Sequence, residues 1–344
     1  MFEIKSSWDE YLQFIPAKKQ TIYFSEAYIK SYETVDITAE AFVYTDNNRN
    51  SFIFPYLRQD IKDFNKLWDF ETPYGYGGPI SSTNDTTFLE KVWKQFIAYA
   101  KESKCIAGFI RFDPIAKNIE LMEDSSFATF FDRHTVAIDL TLSPEDIFSK
   151  EIHSKHRNVI RKAEKSGLEF VIDRNFEYFN DFISIYTATM DRLDADEFYY
   201  FDRAYYKKII DGLKKNSFLS VVLLNGEVIS IAMIMFDDLY GHYHLAGSKK
   251  EFLKYSPNNF LLYKTALYLK KLGKVQFHIG GGTSSDESNS LFKFKKRFSK
   301  SLQDFYIGKK VFIEDDYNKV CKKWEIKNPE KAKKMKNIIL RYRF

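Results

Sequence analysis

Apolar residues follow two periods along this chain, and the switching between them lays out its elements. Runs rich in aromatic and β-branched residues predict strands over residues 37–44 and 51–57, split by the turn Asp46-Asn47-Asn48, and a third over 67–70. Phe88, Val92, Phe96 and Tyr99 recur at helical spacing and predict a helix over 85–102. A helix over 25–33 precedes this unit, and strands over 106–112 and 135–140 close it. The second half opens at Ser143-Pro144-Glu145-Asp146, a helix start with proline at the first position and acids in the first turn. A basic helix then runs to Gly167, a residue suited to a helix end. Next come a strand over 168–173, helices over 176–193 and 203–215, and a hairpin of 218–224 and 227–236 about Asn225-Gly226. A strand over 239–246, a helix over 258–272 and a strand over 275–279 follow. Both halves thus share one element order: strand, hairpin, strand, loop, helix, strand. Helices crossing between neighbouring strands predict two mixed, two-layer α/β domains, over residues 1–142 and 143–316.

Composition changes this picture at one end. The 344 residues are 44% hydrophobic and 29% charged, a globular balance. Residues 317–344 hold ten Lys/Arg and two Asp/Glu, a balance of +8 against +5 for the whole chain. The expectation is a basic helical extension, either solvated or in contact with a polyanion such as RNA, a phosphate-linked carrier or the inner face of an anionic membrane. Trp324, Ile338, Ile339, Leu340, Tyr342 and Phe344 imply that part of it packs. Charges at Glu3, Lys5 and Asp9 argue against a signal peptide, and the longest apolar region is broken by the hairpin turn, so no membrane span is expected. Cys105 and Cys321 match no metal or redox spacing; no metal site is expected, and a reducing cytoplasm is.

The richest chemistry lies near the C-terminal end of the last predicted strand. Lys274 to Ile279 runs into Gly280-Gly281-Gly282, whose backbone a ligand can approach closely. The segment Leu291-Phe292-Lys293-Phe294-Lys295-Lys296-Arg297-Phe298 then alternates aromatics with cations. Ammonium groups held beside apolar surface suit the stabilisation of negative charge developing in a reaction. The basic helix places His153, Arg157, Arg161 and Lys165 in one stripe at four-residue steps, with Lys155 and Lys162 nearby, a pattern able to grip phosphate. Tyr74-Gly75-Tyr76-Gly77-Gly78-Pro79 follows a strand and precedes a helix, where ligands of open α/β sheets bind. His242 and His244 share one strand face without a third metal ligand, so buried or hydrogen-bonded histidines are expected, and His278 is read as core. Asp191, Asp194, Asp196 and Glu197 read as an acidic surface loop.

The stretch Arg157-Asn158-Val159-Ile160-Arg161-Lys162-Ala163-Glu164-Lys165-Ser166-Gly167 resembles a signature of the Fem-type aminoacyltransferases. Phe294-Lys295-Lys296-Arg297-Phe298 resembles their FKxxF motif, placed as in that family after a glycine-rich strand end, and the Tyr/Gly loop resembles one common among relatives tied to surface polysaccharides. The resemblance implies two tandem domains of the GCN5-related N-acetyltransferase (GNAT) type, the second carrying acyl transfer to an amine. It implies Lys295 beside the reacting carbonyl and Phe294 as its aromatic neighbour. Arg157, Arg161 and Lys162 would contact substrate, as would Tyr74, Tyr76, Gly77, Gly78 and Gly280 to Gly282. No permanently bound cofactor is implied; aminoacyl-tRNA or acyl-CoA would be the co-substrate, and a nucleotide- or lipid-linked sugar or peptide of the cell envelope the acceptor. Two departures matter. The long helical arm of some Fem enzymes is absent, and the glycine-rich acetyl-CoA loop is replaced by Lys249 to Asn259, a stretch poorly built to wrap a pyrophosphate. Asn258 and Asn259, which end that stretch, join the candidate substrate contacts. A non-catalytic RNA-binding protein on the same fold is the reading of another class.

Overall fold

The computed structural model describes residues 2–123 and 125–344. In chain order the strands are β1 (Phe2–Lys5), β2 (Ile37–Thr45), β3 (Ser51–Asp60), β4 (Trp68–Glu71), β5 (Ile80–Ser81), β6 (Cys105–Arg111), β7 (Ala128–Asp139), β8 (Glu169–Asp173), β9 (Ser217–Leu224), β10 (Glu227–Phe236), β11 (Tyr240–Ser248), β12 (Gln276–Gly281) and β13 (Leu302–Val311). The principal helices are α1 (Thr86–Glu102), α2 (Ser154–Glu164), α3 (Phe179–Arg192), α4 (Arg203–Leu213), α5 (Pro257–Lys271), α6 (Ser290–Lys296), α7 (Glu314–Lys327) and α8 (Pro329–Lys334). None of the described helices is long and apolar enough to cross a membrane.

The chain divides into two compact units, one of residues 1–132 with 305–344 and one of residues 133–304. This differs from the expected sequential division at 142 and 316. The physical reason is β13, which pairs antiparallel with β6, Ile307 facing Arg111 and Val311 facing Ala107. That pairing brings α7 and all that follows into the first unit.

In the first unit the sheet runs β1-β2-β3-β4-β6-β13, with β5 beside β3. Among the described strands of this unit β4 and β6 are the parallel pair, and α1 makes the crossover between them. Asp85 caps α1 by accepting from the Phe88 amide at 2.8 Å. The helix buries Phe88, Val92, Trp93 and Phe96 among Phe42, Phe52, Phe54 and Phe70 of the sheet. The basic C-terminal segment belongs to this unit. Tyr317, Val320, Cys321 and Trp324 recur at helical spacing on the buried face of α7, and the first three pack with Ile106 and Ala107 of β6. Arg343 reaches Asp69 at 3.1 Å and Glu71 at 2.6 Å on β4.

The second unit carries the order β7-β12-β11-β10-β9-β8. The hairpin of β9 and β10 turns through Asn225 and Gly226, both in the left-handed region that such turns require. Helix α5 lays Leu261, Leu262, Ala266 and Leu269 on the core formed by β9 to β12. Two features differ from the expected elements. The basic helix is interrupted: a π-helical turn at Ile147–Glu151 ends at Ile152, and α2 starts afresh with His153 as its cap. Strands β1, β5 and β13 have no counterpart among the expected elements.

Candidate active site

The parallel partners β11 and β12 are bridged only over three residue pairs, from Tyr240 opposite Gln276 to His242 opposite His278. Beyond that point β11 stays with β10 as far as Ser248, while β12 bends away at Gly280 (φ +72°) and continues against β7. The two strands therefore part, and the site is built around the fork.

Helix α6 follows β12 through the glycines. Asn289 caps it, its carboxamide oxygen accepting from the Leu291 and Phe292 amides at 3.1 Å each. A Cβ on Gly282 would stand 2.6 Å from that oxygen, and one on Gly281 would stand 2.7 Å from the His134 carbonyl oxygen. Internal packing thus accounts for both glycines before any ligand is considered. Phe292 and Lys295, three residues apart, form the inward face of α6. A lysine consequently occupies a core-facing position and is 9% exposed.

Three groups define the surroundings of Lys295. Its ammonium lies 5.8 Å from the centre of the Tyr243 ring, on β11 just past the last bridge. The Tyr243 hydroxyl donates to Asn258 Oδ1 at 3.0 Å, fixing the ring from the first turn of α5. Arg133 donates to the Gly282 carbonyl at 2.8 Å and adds positive charge. No carboxylate among the described residues lies within ion-pair distance of Lys295. Burial, then repulsion from Arg133, pushes its pKa from 10.5 down to about 7. Beneath it, His278 is buried with Nε2 2.8 Å from Thr135 Oγ1, and burial holds it well below the ordinary histidine range.

The remaining candidates divide. Phe294 is half-buried against the His156 ring, with centres 5.2 Å apart, so α2 joins α6 through a histidine rather than through its arginines. Arg157 turns inward and donates to the carbonyls of Ser149 at 2.8 Å and Ile152 at 2.7 Å, tying off the interrupted turn. Arg161 lies over the Phe148 ring at 5.1 Å. The expected four-residue stripe is therefore broken: His153 is a cap, Arg157 a local brace, and Arg161, Lys162 and Lys165 are exposed. Asn259 is buried at the start of α5. Tyr74, Tyr76, Gly77 and Gly78 belong to the first unit. There the Gly77 carbonyl accepts from Asn118 at 2.7 Å, a Cβ on Gly78 would stand 3.0 Å from the same amide nitrogen, and the Tyr76 ring packs edge-on to Tyr23 and Phe305. His242 pairs with Asp237 at 3.3 Å and His244 with the Tyr205 hydroxyl at 2.9 Å. Tyr243, Thr135, Arg133 and His156 were not legible as site residues, because each acquires its position through a strand pairing or helix contact distant in sequence.

Residues 151–296 match the acetyltransferase (GNAT) domain family. That span holds α2, the β11–β12 fork and Lys295, so the second unit contains a GNAT acyltransferase domain. The chain as a whole has the fold of FemX, with 14% identity over 92% of this chain and 99% of that one and a TM-score of 0.72. It also resembles the C-terminal domain (DUF2156) of a candidate lysylphosphatidylglycerol synthetase from Agrobacterium fabrum, at 14% identity over 88% and 92% of the two chains (TM-score 0.57). A tandem GNAT protein from the clavulanic acid biosynthesis pathway matches at 8% identity over 90% and 98% (TM-score 0.51). No curated protein is significantly similar in sequence. The protein is an acyltransferase with a Fem-like tandem GNAT fold.

Proposed function

We propose that this protein transfers an aminoacyl or other acyl group to an amine of a cell-envelope precursor, a peptidoglycan peptide or the amino sugar of a surface polysaccharide, by direct attack at the β11–β12 fork. The observation that carries the reading is Lys295, a buried ammonium with no carboxylate partner among the described residues, at the point where two strands separate. An unbalanced buried cation is costly by itself, and negative charge arriving beside it relieves that cost. In acyl transfer the amine nitrogen bonds to the carbonyl carbon and the carbonyl electrons move to oxygen, giving a tetrahedral oxyanion. Lys295 donates to that oxygen. Collapse breaks the bond to the donor's ester oxygen or thiol sulfur, and the proton shed by the amine ends on that leaving group. Burial beside the Tyr243 ring keeps water from the ammonium, which strengthens its effect on the oxyanion.

Aminoacyl-tRNA and acyl-CoA are the two donor classes. The GNAT match favours acyl-CoA. The Lys249–Asn259 stretch favours a donor that needs no glycine-lined phosphate wrap, because residues Lys250–Tyr255 form a 3-10 helix there. Mass spectrometry of products from charged tRNA or acyl-CoA, each with UDP-linked amino sugars or peptides, identifies donor and acceptor together. Product from neither donor would overturn the reading.

Lys295→Met should lower turnover by about 10²–10³, as loss of one oxyanion donor does elsewhere. The same variant should be more stable than the parent at neutral pH. The lysine's folded pKa is depressed, so it costs stability fully below about 7 and ceases to cost any above its unfolded value of 10.5. Lost activity with a raised melting temperature therefore excludes unfolding as the cause. The rate ratio of parent to variant, in which acceptor ionisation cancels, should fall as pH rises through about 7. A ratio that climbs instead assigns Lys295 to proton removal.

A further inference from the structure

The basic residues of the C-terminal segment sort by type. Its arginines face inward, Arg341 on Glu325 at 2.9 Å and Arg343 on Asp69 and Glu71. Its lysines face outward. Lys322, Lys331, Lys334 and Lys336 are exposed and have no carboxylate within ion-pair distance among the described residues. Apolar groups stand exposed among them: Ile326 (73%) on the outer face of α7, one turn from Lys322, then Ile338 (41%) and Phe344 (52%). The pattern continues onto the sheet, where Lys309 donates to the Asn337 carbonyl at 3.2 Å and lies 5.5 Å over the ring of the exposed Phe130.

We infer that this face of the first unit docks on an anionic lipid surface. Compact ammonium groups on flexible stems suit a fluid layer of phosphate headgroups, and isolated aliphatic and aromatic side chains between them suit shallow insertion. Recognition of a single-stranded nucleic acid favours arginine forks and open stacking rings. Here both arginines are committed to carboxylates and Trp324 is buried. The inference concerns the first unit alone and stands whether or not the acceptor reading does.

The test is flotation of the full chain with phosphatidylcholine vesicles, alone or with about 30% phosphatidylglycerol, at about 50 and 300 mM salt. Binding should need the anionic lipid and weaken at the higher salt. The triple charge reversal Lys322→Glu, Lys334→Glu, Lys336→Glu should weaken it at least about tenfold, and Ile326→Ser severalfold with the salt dependence retained. These positions are exposed, and circular dichroism checks that the fold is unchanged. Equal binding to both vesicle types, indifference to the charge reversal, or displacement of the protein from vesicles by polyuridylate would each overturn the inference.

Discussion

A buried ammonium beside a tyrosine ring, with no carboxylate in reach among the described residues, holds its proton less firmly than one in water. The face of the Tyr243 ring offers Lys295 partial compensation, and the hydrogen bond to Asn258 keeps that face presented. Tyr243→Leu removes the π-face and should lower the Lys295 pKa by roughly half to one and a half units, the equivalent of about 0.5–2 kcal/mol. Tyr243→Phe keeps the face and should move it far less. Side-chain 13C chemical shifts of the lysine, followed against pH, read both variants without any substrate. Equal shifts in the two would show that the ring does not hold the cation.

At the scale of elements, the contact between β4 and the residues after α8 is the feature most exposed to a single change. Asp69 is 1% exposed, and burial raises its pKa even though Arg343 opposes the rise. Glu71 goes the other way, held down by Arg111 and Arg343 against the effect of burial. Arg343→Met would leave Asp69 facing no cation and should cost about 3–5 kcal/mol, as breaking a buried pair does. Lys322→Met, on the outer face of α7, should be neutral; thermal unfolding of the two separates them. Nothing local announces this contact in the sequence, since 274 residues separate Arg343 from Asp69. The same reason hid β13, whose Ile307–Val311 stretch takes its strand form against β6, a partner distant in sequence. Period and turn chemistry do announce α1, the β9–β10 hairpin and α5, because their signals are local: Asp85 before an amphipathic run, Asn225-Gly226 between apolar runs, and Pro257 at a helix start. The basic stripe misled for a related reason. Four-residue spacing shows which residues share a face, but it does not show that the helix breaks at Ile152 and His153 and that Arg157 is spent bracing the break.

At the scale of the molecule, the second unit carries three buried histidines whose charging opposes the fold. Burial lowers His156 to about 4, lowers His244 to about 3 and holds His278 well below 6.5. In the unfolded chain all three take up protons as pH falls below about 6.5. The unfolded state then binds more protons, so stability drops from that pH downward and goes on dropping until the folded values are reached. Urea unfolding midpoints should decline steeply between about pH 6.5 and 4, and His244→Gln should flatten that slope by about one proton.

The division of the chain has a temporal side. The second unit is one uninterrupted run of residues, whereas the first is assembled from both sides of it. During synthesis the inner unit is whole as soon as residue 304 has left the ribosome, and domains close as units in the order they emerge. The outer one, although begun first, waits for β13, α7 and Arg343. Until then the β6 edge and Asp69 stay uncovered, so the nascent chain holds a closed second unit while the first still lacks its last strand and helices.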